Sequence, residues 1–488
     1  VTLPTLSRFS RYLRRLPLLC SLLVMSGCAT TVITPEVEEA MGTEMSVSVE
    51  NQIGLYRQLS LESYVSTVGN RLVEQLGPTP YTFRFAIVDQ FEPNAFATPG
   101  GFIYVSRGLL AQMNSEDELA GVLAHEISHV TQRHHARQAG RSLGAGLLTI
   151  PGRAVGIVSR DLGNMINAPI EAAGQVYLAS FSRSQETEAD AVGLKLSASA
   201  GYDPMALAAA LSGIERSVEA LTGKKNQASF FDTHPTTPTR VSDIQKQVAG
   251  ISTAVASAPI ESPPGLQRKL DGLWVGPQNP QQGVFEGQVF RSASLDMTLT
   301  FPDEWQTINT PRYVAAAEPE GGAYLAVGSR DNSLTPAELA DQYAGKLRDE
   351  AGLEPAESRA FDVGQWPAHV LRYDDSSGGE TVSLFYLFTR APAQTFQMVA
   401  IAREDLREQL RETVFSLRPL TAADRERVTG LRLRLAAPAA GETLDSFSVR
   451  VGNRWSPAMF RAVNGLEIDA PLQSGKVVKV GRVERYTP

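Results

Sequence analysis

Two histidines four residues apart, His125 and His129, enclose a glutamate in the order His-Glu-Ile-Ser-His. On a helix this spacing points both imidazoles the same way, one turn apart, and a pair so placed can bind one Zn²⁺ through ring nitrogens. Glu126 stands beside the first of them and can reach a water on the metal without competing for the metal. Zinc lowers the pKa of such a water to about 7, and the carboxylate can take its proton as the water attacks a carbonyl carbon. A third donor follows later: Glu186 and Asp190 are four apart in Glu-Thr-Glu-Ala-Asp. Two His and one Glu with water in the fourth place is an open, catalytic arrangement. Asp190, one turn beyond Glu186, is placed to accept the spare N–H of a zinc histidine and fix its tautomer. Glu188 faces another side of that helix and reads as a solvated charge.

The chemistry requires the motif to be helical. Ser115 followed by Glu118 is a capping-box pattern, and Glu116, Asp117 and Glu118 place acids where the macrodipole favours them. Leu119, Val122, Leu123, Ile127 and Val130 recur at threes and fours, so the pattern predicts a helix over 115–137. His134 and His135 follow on the same predicted helix, over two turns from His125, and are expected to face solvent. Residues 54–76 have helical spacing, 81–88 alternate like a strand, and Pro99-Gly100-Gly101 is a turn before a strand at 102–106.

In order, Asn94 to Val105 (NAFATPGGFIYV), HEISH, ETEAD and His234-Pro235 resemble peptidase family M48, which includes the CAAX prenyl proteases. The resemblance runs over about 45–250 and implies a zinc endopeptidase with a mostly helical, zincin-type catalytic domain. It carries zinc ligation, one ion per chain, onto His125, His129 and Glu186, and the role of base onto Glu126. By analogy with other metallopeptidases, 94–105 either pairs with an extended substrate or is a purely structural hairpin. His234 and Arg240 lie in FFDTHPTTPTR after an apolar helix near 204–221. Either they reach the zinc site, to stabilise an oxyanion or, for His234, to cap the metal as a fourth ligand, or they tie domain ends together.

Arg8, Arg11, Arg14 and Arg15, then an apolar run from Leu16 to Val24, then Met-Ser-Gly-Cys28, resemble a lipoprotein signal peptide (1–27) with Cys28 as the lipidated first mature residue. The apolar run is too short to span about 30 Å of hydrocarbon. Ala29 after the cysteine favours, by the same resemblance, the periplasmic face of the bacterial outer membrane. Cys20 and Cys28 are the only cysteines, so no disulfide is expected. Removing the four arginines and no acid takes the formal charge from −8 to −12, which argues against nucleic acid as a partner. Residues 138–180 are rich in Gly and Ala, but Pro151, Arg153, Arg160 and Asp161 interrupt them, so a helical insertion capping the site is expected rather than a membrane span.

The fold expected is α+β and multidomain: the zinc metallopeptidase domain at 28–250, an Ala/Ser/Pro-rich linker at 251–286, a small α+β accessory domain at 287–420, and a module at 421–488. Within the last, Gly-Glu-Thr-Leu, Asn464-Gly465-Leu466 and Pro471-Leu472 resemble a LysM module, although no opening strand is evident. Such a module implies peptidoglycan as a partner; the alternative is a small packing domain. The chain thus reads as a lipid-anchored periplasmic zinc endopeptidase acting on unfolded or misassembled envelope proteins. The alternative is a chaperone-like or peptidoglycan-associated assembly factor with a latent zinc site.

Overall fold

The computed structural model describes residues 33–138, 180–223, 230–235, 239–251, 265–376, 379–467 and 469–488. The signal segment, Cys28, nearly all of the 138–180 insertion and most of the 251–264 stretch lie outside the described residues.

Helix α1 (Pro35–Gln52) is followed by α2 (Leu59–Val73). The helix predicted from 54 starts five residues later, because Gly54 takes a φ of +83° and Leu55 forms a β-bridge with Val88. Strands β1 (Arg84–Val88), β2 (Ala95–Thr98) and β3 (Phe102–Ser106) make a sheet in the order β1-β3-β2, with β3 parallel to β1 and antiparallel to β2. Helix α3 (Arg107–Gln112) leaves β3 directly.

Helix α4 (Glu116–Thr131) carries the His-Glu-Ile-Ser-His segment and is buried on every side from Leu119 to Val130, as befits a central helix. Ser115 Oγ accepts the Glu118 N–H at 3.1 Å, but the Glu118 carboxylate turns back to the N–H of Asn114, at 2.7 Å, not to that of Ser115. The helix ends at Thr131 rather than 137. Gln132 and Arg133 form a turn, Arg133 takes a left-handed φ of +55°, and residues 134–138 are helical again. Arg133 is held in that conformation by Glu38 of α1, at 3.0 Å, and by the carbonyl of Ile33.

Helix α5 (Arg183–Ser199) begins with a Ser182–Gln185 capping box and brings Glu186 and Asp190 against α4. The two helices meet closely at Gly193, where an added Cβ would lie 3.1 Å from the backbone nitrogen of His125. Helices α6 (Ala206–Thr222), α7 (Phe230–Thr233) and α8 (Arg240–Ala249) close the domain. Helix α9 (Gly265–Leu270) falls inside the expected linker, yet its Leu266 and Leu270, with Leu273 and Trp274 beyond it, are buried in the same core as Leu119 and Leu123 of α4.

Strands β4 (Val284–Glu286), β5 (Val289–Ser292) and β6 (Met297–Thr300) form a small antiparallel sheet. Next come β7 (Gln306–Asn309), β8 (Tyr313–Ala317), β9 (Ala323–Arg330), helix α10 (Pro336–Ala351), β10 (Glu357–Val363), β11 (Trp366–Asp375), β12 (Val382–Arg390), β13 (Thr395–Arg403) and helix α11 (Arg407–Ser416). The seven strands pair antiparallel throughout in the order β10-β11-β12-β13-β9-β8-β7. Period-two alternation divides the strands between two cores. On β11, Leu371 and Tyr373 pack against Leu339 and Leu347 of α10, while Ala368 and Val370 join a core with Leu299 of β6 and Leu410 of α11.

The last segment comprises α12 (Ala422–Arg427), β14 (Thr429–Ala436), α13 (Leu444–Val451), α14 (Pro457–Val463) and β15 (Val478–Arg485). An opening strand is present after all: β14 pairs antiparallel with β15, which makes a strand-helix-helix-strand unit. The Lys479 ammonium of β15 is fully buried and donates to the carbonyls of Ala111 and Met113, each at 2.9 Å, just ahead of α4. Among the described residues, no helix is long and apolar enough to cross a membrane.

Candidate metal centre

Three elements bring the predicted ligands together. Helix α4 supplies His125 and His129 with their Nε2 atoms 3.0 Å apart. Helix α5 supplies Glu186, whose two carboxylate oxygens lie 3.4 Å from these two nitrogens, Oε2 from His125 and Oε1 from His129. The turn after α7 supplies His234, whose Nδ1 is 3.2 Å from His125 Nε2 and 3.1 Å from Glu186 Oε1. One donor atom from each of the four lies within 4.8 Å of the others, and all four residues are buried.

Glu126 is buried against the same group of residues. Both its oxygens are buried without a hydrogen-bond partner, and His234 Nε2 lies 3.4 Å from Oε1. A buried carboxylate left without hydrogen bonds is costly. A cation and its water at this point would satisfy both the carboxylate and the converging lone pairs. Three imidazoles and one carboxylate are a zinc donor set, so the residues fit the ion.

The residues around the donors fix their orientation. His125 Nδ1 lies 2.9 Å from Asp190 Oδ1, which leaves Nε2 for a metal. Arg240 grips Asp190 with two hydrogen bonds, 3.0 Å from Nε and 2.9 Å from Nη2, and pairs with Glu186 at 3.2 Å. Its guanidinium is therefore engaged by carboxylates beside the donors. Phe181 stacks on His129 with centroids 3.9 Å apart, and Phe230 stacks on His234 at 4.4 Å, so apolar rings line two sides of the site.

Burial sets much of the local electrostatics. It raises the Glu126 carboxyl above its usual value, against the pull of His234 and His125. Burial and the charge of His125 push His129 down. For His125 burial also disfavours the imidazolium, but Asp190 and Glu186 outweigh it and hold the pKa at about 9. Glu186 is buried too, yet the charge of His234 and hydrogen bonds with His125 and His234 keep it well below the carboxylate range.

Two expectations fail here. His134 is fully buried, not solvent-facing, and His135 is half-buried with Nε2 3.0 Å from the carbonyl of Ala97 in β2. The break at Arg133 is the cause, since it folds the chain after α4 back over the site. Nor is Glu188 a free solvated charge: it is part-exposed but bound by His134, at 3.2 Å, and by Arg137, at 3.0 Å. Sequence inspection missed Phe181 and Phe230, which carry no spacing signal.

Residues 60–248 match the model of Peptidase family M48. The chain is 30% identical over 238 residues to the beta-barrel assembly-enhancing protease of Yersinia pestis, covering 44% of this chain and 47% of that protein. It is 32% identical over 210 residues to the mitochondrial metalloendopeptidase OMA1 of Schizosaccharomyces pombe, covering 43% and 59%. It is 30% identical over 192 residues to a protease HtpX homolog of Salinibacter ruber, covering 33% and 67%. The chain spans about half the length of the beta-barrel assembly-enhancing proteases it matches. With the donors, the carboxylate beside them and two thirds of the HtpX homolog matched, the chain belongs to peptidase family M48.

Proposed function

We propose that the chain is a zinc metalloendopeptidase, held at the periplasmic face of the outer membrane by a lipid on Cys28, that hydrolyses unfolded or misassembled envelope proteins. The observation that carries the activity is the convergence of His125, His129 and Glu186 on one buried point with an unpartnered Glu126 beside it. The N-terminal sequence supports the anchor, and relatives named beta-barrel assembly-enhancing protease support envelope proteins as the substrate class.

Zinc held there supplies Lewis acidity, polarising the scissile carbonyl and acidifying a water. Glu126 takes the proton of the attacking water and returns it to the leaving amine. Its two oxygens, buried and without another hydrogen-bond partner, are free for both transfers. Asp190 holds His125 in the Nε2-donor tautomer, and Arg240 holds Asp190 and Glu186 in register. His234 Nδ1 lies 3.2 Å from His125 Nε2 and 3.1 Å from Glu186 Oε1, so His234 would hold the ion as a fourth ligand, and its withdrawal would open a place for a substrate carbonyl.

That fourth donor also favours a second reading: an assembly factor whose zinc site is latent until a partner displaces His234. The test uses an unfolded outer-membrane β-barrel protein as substrate. The peptidase reading expects cleavage that stops on chelation with phenanthroline and returns with added zinc. Zinc-loaded protein that protects the substrate but never cuts it would favour the latent factor.

A further inference from the structure

The two α4 histidines are held from behind by different chemistry. His125 has a carboxylate behind it, Asp190, itself clamped by Arg240. Behind His129 stands another imidazole: His134 Nδ1 is 2.8 Å from His129 Nδ1. His129 must keep Nε2 free of a proton to offer a lone pair to a metal, so its hydrogen sits on Nδ1 and is donated to His134. His134 then carries its own hydrogen on Nε2 and donates it to Glu188 Oε2, at 3.2 Å. Glu188 accepts in turn from Arg137, at 3.0 Å. Donors and acceptors match along the whole row in only this direction.

The backbone is built to make the row. Five residues along a continuous helix would rotate His134 about 140° away from His129. The left-handed Arg133, anchored on Glu38, ends α4 and restarts the helix with the ring of His134 against that of His129. Gln185, the residue before Glu186, fixes the restart by donating to the His134 carbonyl at 3.1 Å. The row thus links the end of α4 to two residues of α5.

We propose that His134, backed by Glu188, is a positioning residue for the metal ligand His129, fixing its tautomer and the direction of its Nε2 lone pair. The inference rests on zinc binding at this site. Its test is the zinc dissociation constant of the whole chain, measured by competition with a chromophoric chelator, together with the visible spectrum of the Co²⁺ form. His134→Phe fills the space without an acceptor and should weaken zinc binding by about 10- to 100-fold and alter the Co²⁺ bands. His134→Gln, which restores an acceptor, should recover much of that loss. Glu188→Gln, at a part-exposed position that does not threaten folding, should weaken binding by about threefold. Wild-type affinity and an unchanged Co²⁺ spectrum in both His134→Phe and Glu188→Gln would overturn the proposal alone. Failure of the wild type to bind zinc would overturn it together with the peptidase reading.

Discussion

At the scale of residues, the donor geometry makes His234 the most informative side chain. Its Nδ1 sits among the donors while its Nε2 faces Glu126, so removing the ring opens a coordination place and frees the base. His234→Ala should therefore keep its zinc and cleave an unfolded substrate faster than wild type. Retained zinc with cleavage reduced by about 100-fold would instead make His234 a stabiliser of the oxyanion. The pairing of His125 with His129 and of Glu186 with Asp190 was legible in the sequence because helical geometry converts a spacing of four into a shared face, and Glu126 was legible from its place beside His125. His134 was not, because nothing in Thr-Gln-Arg-His announces a helix break. The left-handed Arg133 depends on Glu38, nearly a hundred residues away, and no local pattern records that contact.

At the scale of elements, strong periodicity and capping residues succeeded where both were present. Helix α10 forms at Pro336–Ala351 with Thr335 as its cap, and the strand expected at 102–106 forms at Phe102–Ser106. The opening strand β14 was overlooked, although Leu431, Leu433 and Leu435 alternate with Arg432 and Arg434 and the leucines face inward. The approach of α4 to α5 rests on Gly193, a requirement visible only once the two helices are side by side. Helix α12 ties the accessory domain to the last segment through Asp424, which accepts from Arg291 and Arg418 and completes the Thr421 capping box. Those partners, Arg418 foremost, hold its carboxyl well below the ordinary 3.8 against the effect of burial. A depressed carboxyl stabilises the fold above its unfolded value and loses that contribution as pH falls through the folded one. Asp424→Asn should thus cost about 1–3 kcal/mol near neutral pH, and the gap to wild type should shrink as pH drops below about 4. Urea unfolding across pH checks this; a gap that stays constant down to about pH 2 would refute it.

At the scale of the whole molecule, the parts read from the sequence as separate are packed together. Leu266, Leu270, Leu273, Trp274 and Val275 lie in the same core as α4, and the buried Lys479 of the last segment donates to the carbonyls of Ala111 and Met113 at the end of α3. Burial lowers the pKa of that lysine to about 7, partly offset by the charge of Glu118. The C-terminal segment is therefore anchored on the backbone that joins α3 to the helix carrying two of the metal donors. Composition and linker-like patterning could not reveal this, since tertiary packing rather than local pattern decides which segments share a core. The central claim is that one buried zinc and Glu126 together cut peptide bonds. It is tested most directly by measuring zinc content and cleavage of an unfolded protein in the same preparations of residues 29–488, wild type and Glu126→Gln. The account predicts about one zinc per chain in both proteins and a loss of cleavage of about 100-fold or more in the variant. A zinc-free wild type, or equal cleavage by the two proteins, would contradict it.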